Sequence, residues 1–278
     1  MISRRVAMLG CCAAAAGCTH VDVKLASFMS PDHGVGAARL PPGYAIENQV
    51  LRKNGVTVGI TYAHRTGNRV LVLYCGGSGF HRSIEGAIPL QALALNADVV
   101  EFDYPGYGES SGMPSTETVL DTAVAVYDHI FALPTAVGRK RVLYGFSLGG
   151  MVVAQLAQDR QADALVLEAT ASTVRDWARS RVPWALRPLV KVRIEPQIAT
   201  LDCVRALDHF QGRMLMLASR ADEVVPARSS FRMATRLTLA GRKVQLVEFE
   251  GRRHGAIMRD PAFAGHFSDF VDRMEGRI

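Results

Sequence analysis

From Val70 onward the chain alternates two hydrophobic rhythms. Short, almost wholly apolar runs cover Val70 to Cys75, Ala97 to Phe102, Val142 to Tyr144, Ala164 to Leu167, Met214 to Ala218 and Val244 to Phe249. Between them, Ile84 to Ala94, Thr116 to Phe131, Leu148 to Gln158, Ala227 to Leu239 and Pro261 to Met274 carry apolar residues at the spacing of a helix that covers a core. The runs are too short for helices and predict strands buried on both faces. Strands separated by helical segments predict a parallel sheet with helices against it. Ahead of this region, Glu47 to Arg52 and Val56 to His64 flank Lys53-Asn54-Gly55, which predicts a hairpin because Asn-Gly readily takes positive φ. A second turn, Thr66-Gly67-Asn68, feeds Val70. The rhythm breaks between Ala169 and Phe210. Residues 19–43, with Pro31, Asp32, Gly34, Gly36 and Pro41-Pro42-Gly43, show little periodicity and read as a tether.

The junction between one strand and the helix after it carries a particular motif. Arg141-Val-Leu-Tyr-Gly-Phe-Ser-Leu-Gly-Gly-Met151 contains Gly-x-Ser-x-Gly between a strand pattern and a helix pattern. Gly145, Gly149 and Gly150 remove Cβ atoms where a sharp turn brings strand and helix together, which leaves the Ser147 hydroxyl exposed above the sheet. The helix N-terminus behind it offers unpaired N–H groups and a positive dipole end.

Acyl transfer by a serine needs a base to take its proton, a carboxylate to hold that base and N–H groups aimed at the oxyanion. Each has a candidate at a strand end, where sites in open α/β sheets form. Asp222 follows the Met214 to Ala218 strand within Ser219-Arg-Ala-Asp-Glu-Val-Val-Pro226, with the adjacent Glu223 as the alternative acid and a helix N-cap as Asp222's other reading. His254 follows the Val244 to Phe249 strand. His20, His33, His64, His129, His209 and His266 fall on predicted surface positions, and none has Zn-ligand spacing; His81 follows a loop of interest and is left open. That loop, Cys75-Gly-Gly-Ser-Gly-Phe80, lets a backbone approach substrate closely. The N–H of Gly77, with Ser78 as alternative, joins that of Leu148 as the expected oxyanion hole. The loop lacks the Lys and the spacing of a phosphate loop.

Composition narrows the class without changing this picture. The 278 residues are 49% hydrophobic and 21% charged, as in a globular chain, and their length suits one domain. The net charge of +6 is modest, and no Lys/Arg run interleaved with aromatics suggests nucleic acid. No metal or organic cofactor is implied. At the N-terminus, Met1-Ile-Ser-Arg-Arg5 is a short basic segment and Val6 to Ala16 an apolar one too short to span a bilayer. Ala15-Ala16-Gly17-Cys18 resembles a bacterial lipobox, with Ala15 where Leu is usual. The resemblance implies a signal peptide over residues 1–17, cleavage before Cys18 and acylation there, palmitate included; Thr19 after the Cys implies sorting to an outer membrane facing the periplasm. A plain secretory signal or a hydrophobic anchor is the alternative. Ser3-Arg4-Arg5 is similar to a twin-arginine signal, but Val6-Ala7 lacks its aromatic. Cys75 and Cys203 then remain, expected as buried free thiols, with a periplasmic pair as alternative.

Phe102-Asp-Tyr-Pro-Gly-Tyr-Gly-Glu-Ser-Ser-Gly-Met-Pro-Ser115, Leu143-Tyr-Gly-Phe-Ser-Leu-Gly-Gly150, Leu165-Val-Leu-Glu-Ala169 and Ala221-Asp-Glu-Val-Val-Pro226 together resemble the α/β-hydrolases. Within them they are most similar to the serine-aminopeptidase-like branch that includes acyl-protein thioesterases and related lipases. Cys75 departs from that pattern, standing where these proteins usually carry His. The resemblance implies a mostly parallel eight-stranded sheet with helices on both faces over residues 44–278 and a short cap after the sixth strand, at about residues 170–210. It also implies an ester or thioester hydrolase acting on a small-molecule or acylated substrate, with an aminopeptidase or a non-catalytic envelope binding protein as alternatives. The cap sequence mixes Trp177, Val182, Trp184, Leu186 and Leu189 with Arg175, Arg179, Arg181, Arg187, Lys191 and Arg193. Its expected form is an amphipathic lid, the apolar face lining an acyl pocket and the basic face meeting anionic groups, or else a helical cap with ordinary solvated charges.

Overall fold

A computed structural model of the chain describes residues 19–24, 40–53, 55–95 and 97–276. The expected signal peptide, Cys18 and most of the expected tether lie outside the described residues. Within the tether stretch, β1 (Thr19–Val23) is a strand. The hairpin forms as β2 (Ala45–Lys53) and β3 (Val56–His64), antiparallel, with Gly55 at φ 77°. Then follow β4 (Val70–Cys75), α1 (Arg82–Glu85), α2 (Ala87–Leu93), β5 (Asp98–Phe102), α3 (Thr116–Phe131), β6 (Lys140–Phe146), α4 (Leu148–Asp159) and β7 (Ala164–Glu168). The cap comprises α5 (Val174–Arg181), β8 (Val190–Ile194), α6 (Pro196–Ala199) and α7 (Cys203–Ala206). The chain closes with β9 (Arg213–Ser219), α8 (Ala227–Leu239), β10 (Lys243–Phe249) and α9 (Pro261–Glu275).

Eight strands form the main sheet in the order β10-β9-β7-β6-β4-β5-β3-β2. The six from β10 to β5 are parallel, and β3 joins β5 antiparallel. The cap leaves the sheet after β7, its sixth strand in chain order. Alternate residues of each strand serve two cores, because successive side chains point to opposite faces. Leu71, Leu73, Leu143, Leu165 and Met214 pack with Val126 of α3, Val152 of α4 and Met233 of α8. Val70, Val72, Val142, Val166 and Leu215 pack with Leu90 of α2 and with Phe263, Phe267 and Phe270 of α9. This two-sided burial is why the strands read as unbroken apolar runs.

The segment expected as one helix over Ile84 to Ala94 is two. Gly86 sits at the break; a side chain there would run into the Glu101 carboxylate and the Arg82 carbonyl. Pro89 has no N–H to return to Glu85, so a continuous helix would lack a bond at that point. Helix starts are capped where the turns require it. Ser115 and Thr118 form a reciprocal capping box on α3, and Asp260 caps α9 ahead of Pro261.

Cys75 and Cys203 are buried free thiols, and burial pushes both thiols up. Among the described residues no helix is long and apolar enough to cross a membrane, and no group of side chains is arranged to hold a metal ion. Phe267 of α9 is fully buried, stacked on Phe263 with ring centroids 5.9 Å apart and 6.5 Å from the Tyr144 ring. Phe267→Ala is expected to cost about 3–5 kcal/mol of stability, read as a lower urea midpoint at unchanged slope.

Candidate active site

β6 runs straight into α4, and Ser147 occupies the corner with φ 55° and ψ −114°. That conformation is unfavourable for a residue with a side chain and persists only where its surroundings hold it. Here they do. The Ser147 N–H donates to the Glu168 carbonyl at 2.8 Å, and Gly150 N–H donates back to the Ser147 carbonyl at 3.1 Å. A Cβ on Gly149 would collide with the Cys75 carbonyl, and one on Gly150 with the Thr170 side chain, so β4, β7 and α4 can close around the corner only at glycine.

The three residues expected to work together are brought together. His254 Nε2 lies 3.1 Å from Ser147 Oγ, and His254 Nδ1 lies 2.8 Å from Asp222 Oδ2. With the ring proton on Nδ1, the imidazole donates to Asp222 and accepts from Ser147. Asp222 is buried, and its other oxygen accepts the backbone N–H groups of Val224 at 2.8 Å and Val225 at 2.7 Å. These bonds fix the carboxylate in the orientation the ring needs. Glu223 turns elsewhere: Oε1 accepts from Arg253 at 2.9 Å and Oε2 from the His254 N–H at 3.2 Å. Partial burial pushes the Glu223 carboxyl up, but its own backbone N–H, that of His254 and the Arg253 guanidinium together hold it below the usual range. It therefore braces the His254 loop while Asp222 addresses the ring. The Phe146 ring packs on His254 with centroids 4.8 Å apart.

The Gly-rich loop after β4 comes to the same place. Gly77 lies against Phe146, and a Cβ there would sit 3.6 Å from Ser147 Cβ. Leu148 opens α4, so its N–H has no partner within the helix. The loop is tied from behind by two buried tyrosines on either side of Gly77: Tyr104 O–H donates to the Gly76 carbonyl at 2.9 Å and Tyr107 O–H to the Ser78 carbonyl at 2.8 Å. Between them the segment turns at Gly106, φ 78°, and His81 is buried against Tyr107 with rings 4.6 Å apart. Asp103 anchors the base of this segment by accepting the Arg82 N–H at 2.9 Å. Sequence reasoning places the Asp103 to Glu109 stretch only as a matching motif; its bracing role needs the tertiary contact.

Ser147 opens into a cavity of about 320 Å³ walled by Tyr74, Phe80, Ile88, Pro89, Phe146 and Met258, with Glu85 and Arg259 at its mouth. Every described lining residue comes from the main domain, so among the described residues the expectation that the apolar face of the cap lines this pocket is corrected. The physical reason lies in α5, whose Val174 and Ala178 turn inward onto the α/β core instead. The cap reaches the triad from another direction, where Arg181 donates to the Glu223 carbonyl. A larger hollow of about 980 Å³ lies at the amino-terminal ends of β6, β7 and β9, beside Lys140, Asp163 and Gly212, the opposite end of the sheet from Ser147.

Glu168, the last residue of β7, also lines the Ser147 cavity and is a site residue that sequence reasoning passes over except within a motif. An acid ending a wholly buried apolar strand is the signal that points to it. Tyr144 O–H donates to Glu168 Oε2 at 2.7 Å. Burial pushes the Glu168 carboxyl from 4.5 up to about 7, opposed by the Tyr144 bond and His254 and assisted by Asp222.

The fold is that of the alpha/beta hydrolases. The alpha/beta hydrolase family model matches residues 71–240, and the chain belongs to that family. It is similar to an uncharacterized protein of Mycobacterium tuberculosis, 28% identical over 188 residues covering 66% of this chain and 64% of that protein. It is also similar to the lysophosphatidylserine lipase ABHD12 of Danio rerio, 29% identical over 72% of this chain and 58% of that protein. The chain thus spans less than two thirds of these relatives' length. Among solved structures it resembles the Pyrococcus furiosus esterase Pf2001, at TM-score 0.67 and 15% identity over 90% of this chain and 99% of that one. Est1E of Butyrivibrio proteoclasticus with bound ferulic acid superposes at TM-score 0.66 and 16% identity, over 82% and 99%. At such identities these structures speak to the fold alone.

Glu168 makes stability depend on pH in a definite direction. A carboxyl whose folded pKa exceeds its unfolded one stabilises fully below the unfolded value, and that contribution declines as pH rises toward about 7. Glu168→Gln is expected to remove the decline, leaving the variant more stable than the parent at pH about 8 by up to about 3 kcal/mol. Urea midpoints across pH measure this, and parallel profiles for the two proteins would contradict it.

Proposed function

We propose that this chain is a serine hydrolase that cleaves a carboxylic ester or thioester through an acyl-enzyme. The observation that carries the reading is the unbroken chain Ser147 Oγ, His254 Nε2, His254 Nδ1, Asp222 Oδ2, at 3.1 and 2.8 Å, on a serine held at a strained corner. Ser147 Oγ attacks the acyl carbon as its proton passes to His254 Nε2. The carbonyl electron pair moves to oxygen, where the N–H groups of Leu148 and Gly77 receive the charge. Collapse breaks the bond to the leaving oxygen or sulfur, which takes the proton from His254. Water then enters, gives a proton to His254, attacks the acyl carbon and releases the acid, and the proton returns to Ser147. Asp222 holds the ring through Nδ1 and stabilises the imidazolium.

The apolar walls of the 320 Å³ cavity suit an acyl group of small to medium size. The similarity to a lysophosphatidylserine lipase supports an ester substrate. Glu85 shares the mouth with Arg259, a poor setting for the free carboxylates that an amine-recognising peptidase would need. The same reading places the protein in the bacterial envelope, held by acylated Cys18, on the strength of the N-terminal sequence.

Ser147→Ala is expected to abolish both fluorophosphonate labelling and turnover of p-nitrophenyl esters; labelling retained in that variant would remove Ser147 as nucleophile, and an unlabelled parent would favour a binding protein. A panel of esters of rising chain length, a thioester and an aminoacyl amide ranks the substrate classes. Cys18→Ala, produced in a bacterial host that acylates lipoproteins, is expected to lose a lipid-sized mass increment that the parent carries. A parent without that increment would refute the anchor and leave the hydrolase reading untouched.

A further inference from the structure

The cap carries a second concavity that takes no part in the Ser147 site. β8 of the cap pairs in parallel with β1, the strand at the start of the described chain, from Thr19 opposite Val190 to Val23 opposite Ile194. Beside this two-stranded ribbon lies a hollow of about 680 Å³ walled by His20 of β1, Arg175 and Arg179 of α5, and Arg187, Lys191 and Arg193. All five cations are exposed, and no carboxylate is among the described residues that line the hollow, although Asp22, Asp176 and Glu195 stand at neighbouring positions. Arg181, the cap cation tied to the Glu223 carbonyl, stays outside it. We propose that this hollow is a docking site for the phosphate groups of anionic phospholipids at a bilayer surface.

Two observations favour a bilayer over a free phosphate or a nucleic acid. Leu186 and Leu189, 46% and 63% exposed, flank the lining residues Arg187 and Pro188 in the chain. Cations beside exposed leucines match the boundary between headgroups and acyl chains, where the charges meet phosphate and the leucines enter the apolar layer. A small soluble anion offers the leucines nothing, and the described lining residues include no aromatic on which bases would stack apart from the His20 ring. The second observation is connectivity, and it rests on the membrane anchor proposed for the N-terminal segment. His20 is two residues beyond Cys18, and extended chain covers about 3.3 Å per residue. A lipid on Cys18 would therefore hold the hollow within about 10 Å of the headgroups. The ribbon makes this a fixed arrangement, since β1 is paired to the cap along its whole length.

The test uses the full chain carrying Cys18→Ser, so that no acyl anchor contributes, with phosphatidylcholine vesicles that contain or lack phosphatidylglycerol. Partitioning is expected to be stronger onto the anionic vesicles and to weaken as salt is raised. Arg187→Gln with Lys191→Gln is expected to lower partitioning onto anionic vesicles about 25-fold, fivefold per cation, at an unchanged thermal midpoint. Leu189→Ser is expected to lower it as well. Equal partitioning of parent and double variant would overturn the proposal. So would release of the parent by millimolar inorganic phosphate at constant ionic strength, which would mark a soluble-anion site, or tighter binding to a duplex oligonucleotide than to the vesicles. Because Cys18 is replaced throughout, failure of the acylation reading and failure of the docking reading give different results.

Discussion

Everything at the carboxyl end of the sheet depends on one backbone corner. Ser147 holds φ 55° because the strand before it and the helix after it are each pinned by independent packing, and because the neighbouring glycines let β4, β7 and α4 approach within backbone contact. The strain is local, whereas the burial that opposes it is distributed over both faces of the sheet. The corner also sets the position of Leu148 N–H, which cannot move without unwinding the first turn of α4. The hydroxyl and one expected oxyanion donor are therefore placed by the same feature.

Around that corner the remaining groups are positioned by loops braced from outside. Asp222 is oriented by two backbone N–H groups of its own loop, His254 is held at its main chain by Glu223, and the Gly77 loop is tied by Tyr104 and Tyr107. Such bracing limits the freedom that loops otherwise have and keeps these groups in register with one another. Glu168 adds a buried acid whose charge state changes near neutral pH, in contact with the same cavity.

The cap departs most from what its composition suggests. Val174, Ala178, Ile198 and Leu201 attach it to the α/β core and β8 forms a ribbon with the start of the chain, while Leu186, Leu189 and most of its cations face outward. A segment that reads as a lid over the pocket thus behaves as a surface module fastened beside it. One link, Arg181 to the Glu223 carbonyl, connects it to the loop that carries Asp222.

The parallel sheet, the hairpin, the Gly-x-Ser-x-Gly corner and the Ser147, Asp222, His254 order are legible from residue order alone. Two-sided burial demands continuous apolar runs, helices on a sheet demand a helical stripe, and a sharp strand-to-helix turn demands glycine; each is a local requirement that leaves a local mark. The shorter side chain favours Asp222 over Glu223, but where the folded chain points the two carboxylates leaves no local mark. Nor do the roles of Tyr104 and Tyr107, the split at Gly86 or the pairing of Thr19–Val23 with Val190–Ile194. The two ribbon strands alternate modestly by themselves and become a structure only against a partner some 170 residues away. Sequence determined which chemistry was available and at which strand ends; tertiary structure decided which side chains face one another, because orientation and distant pairing belong to the packed whole.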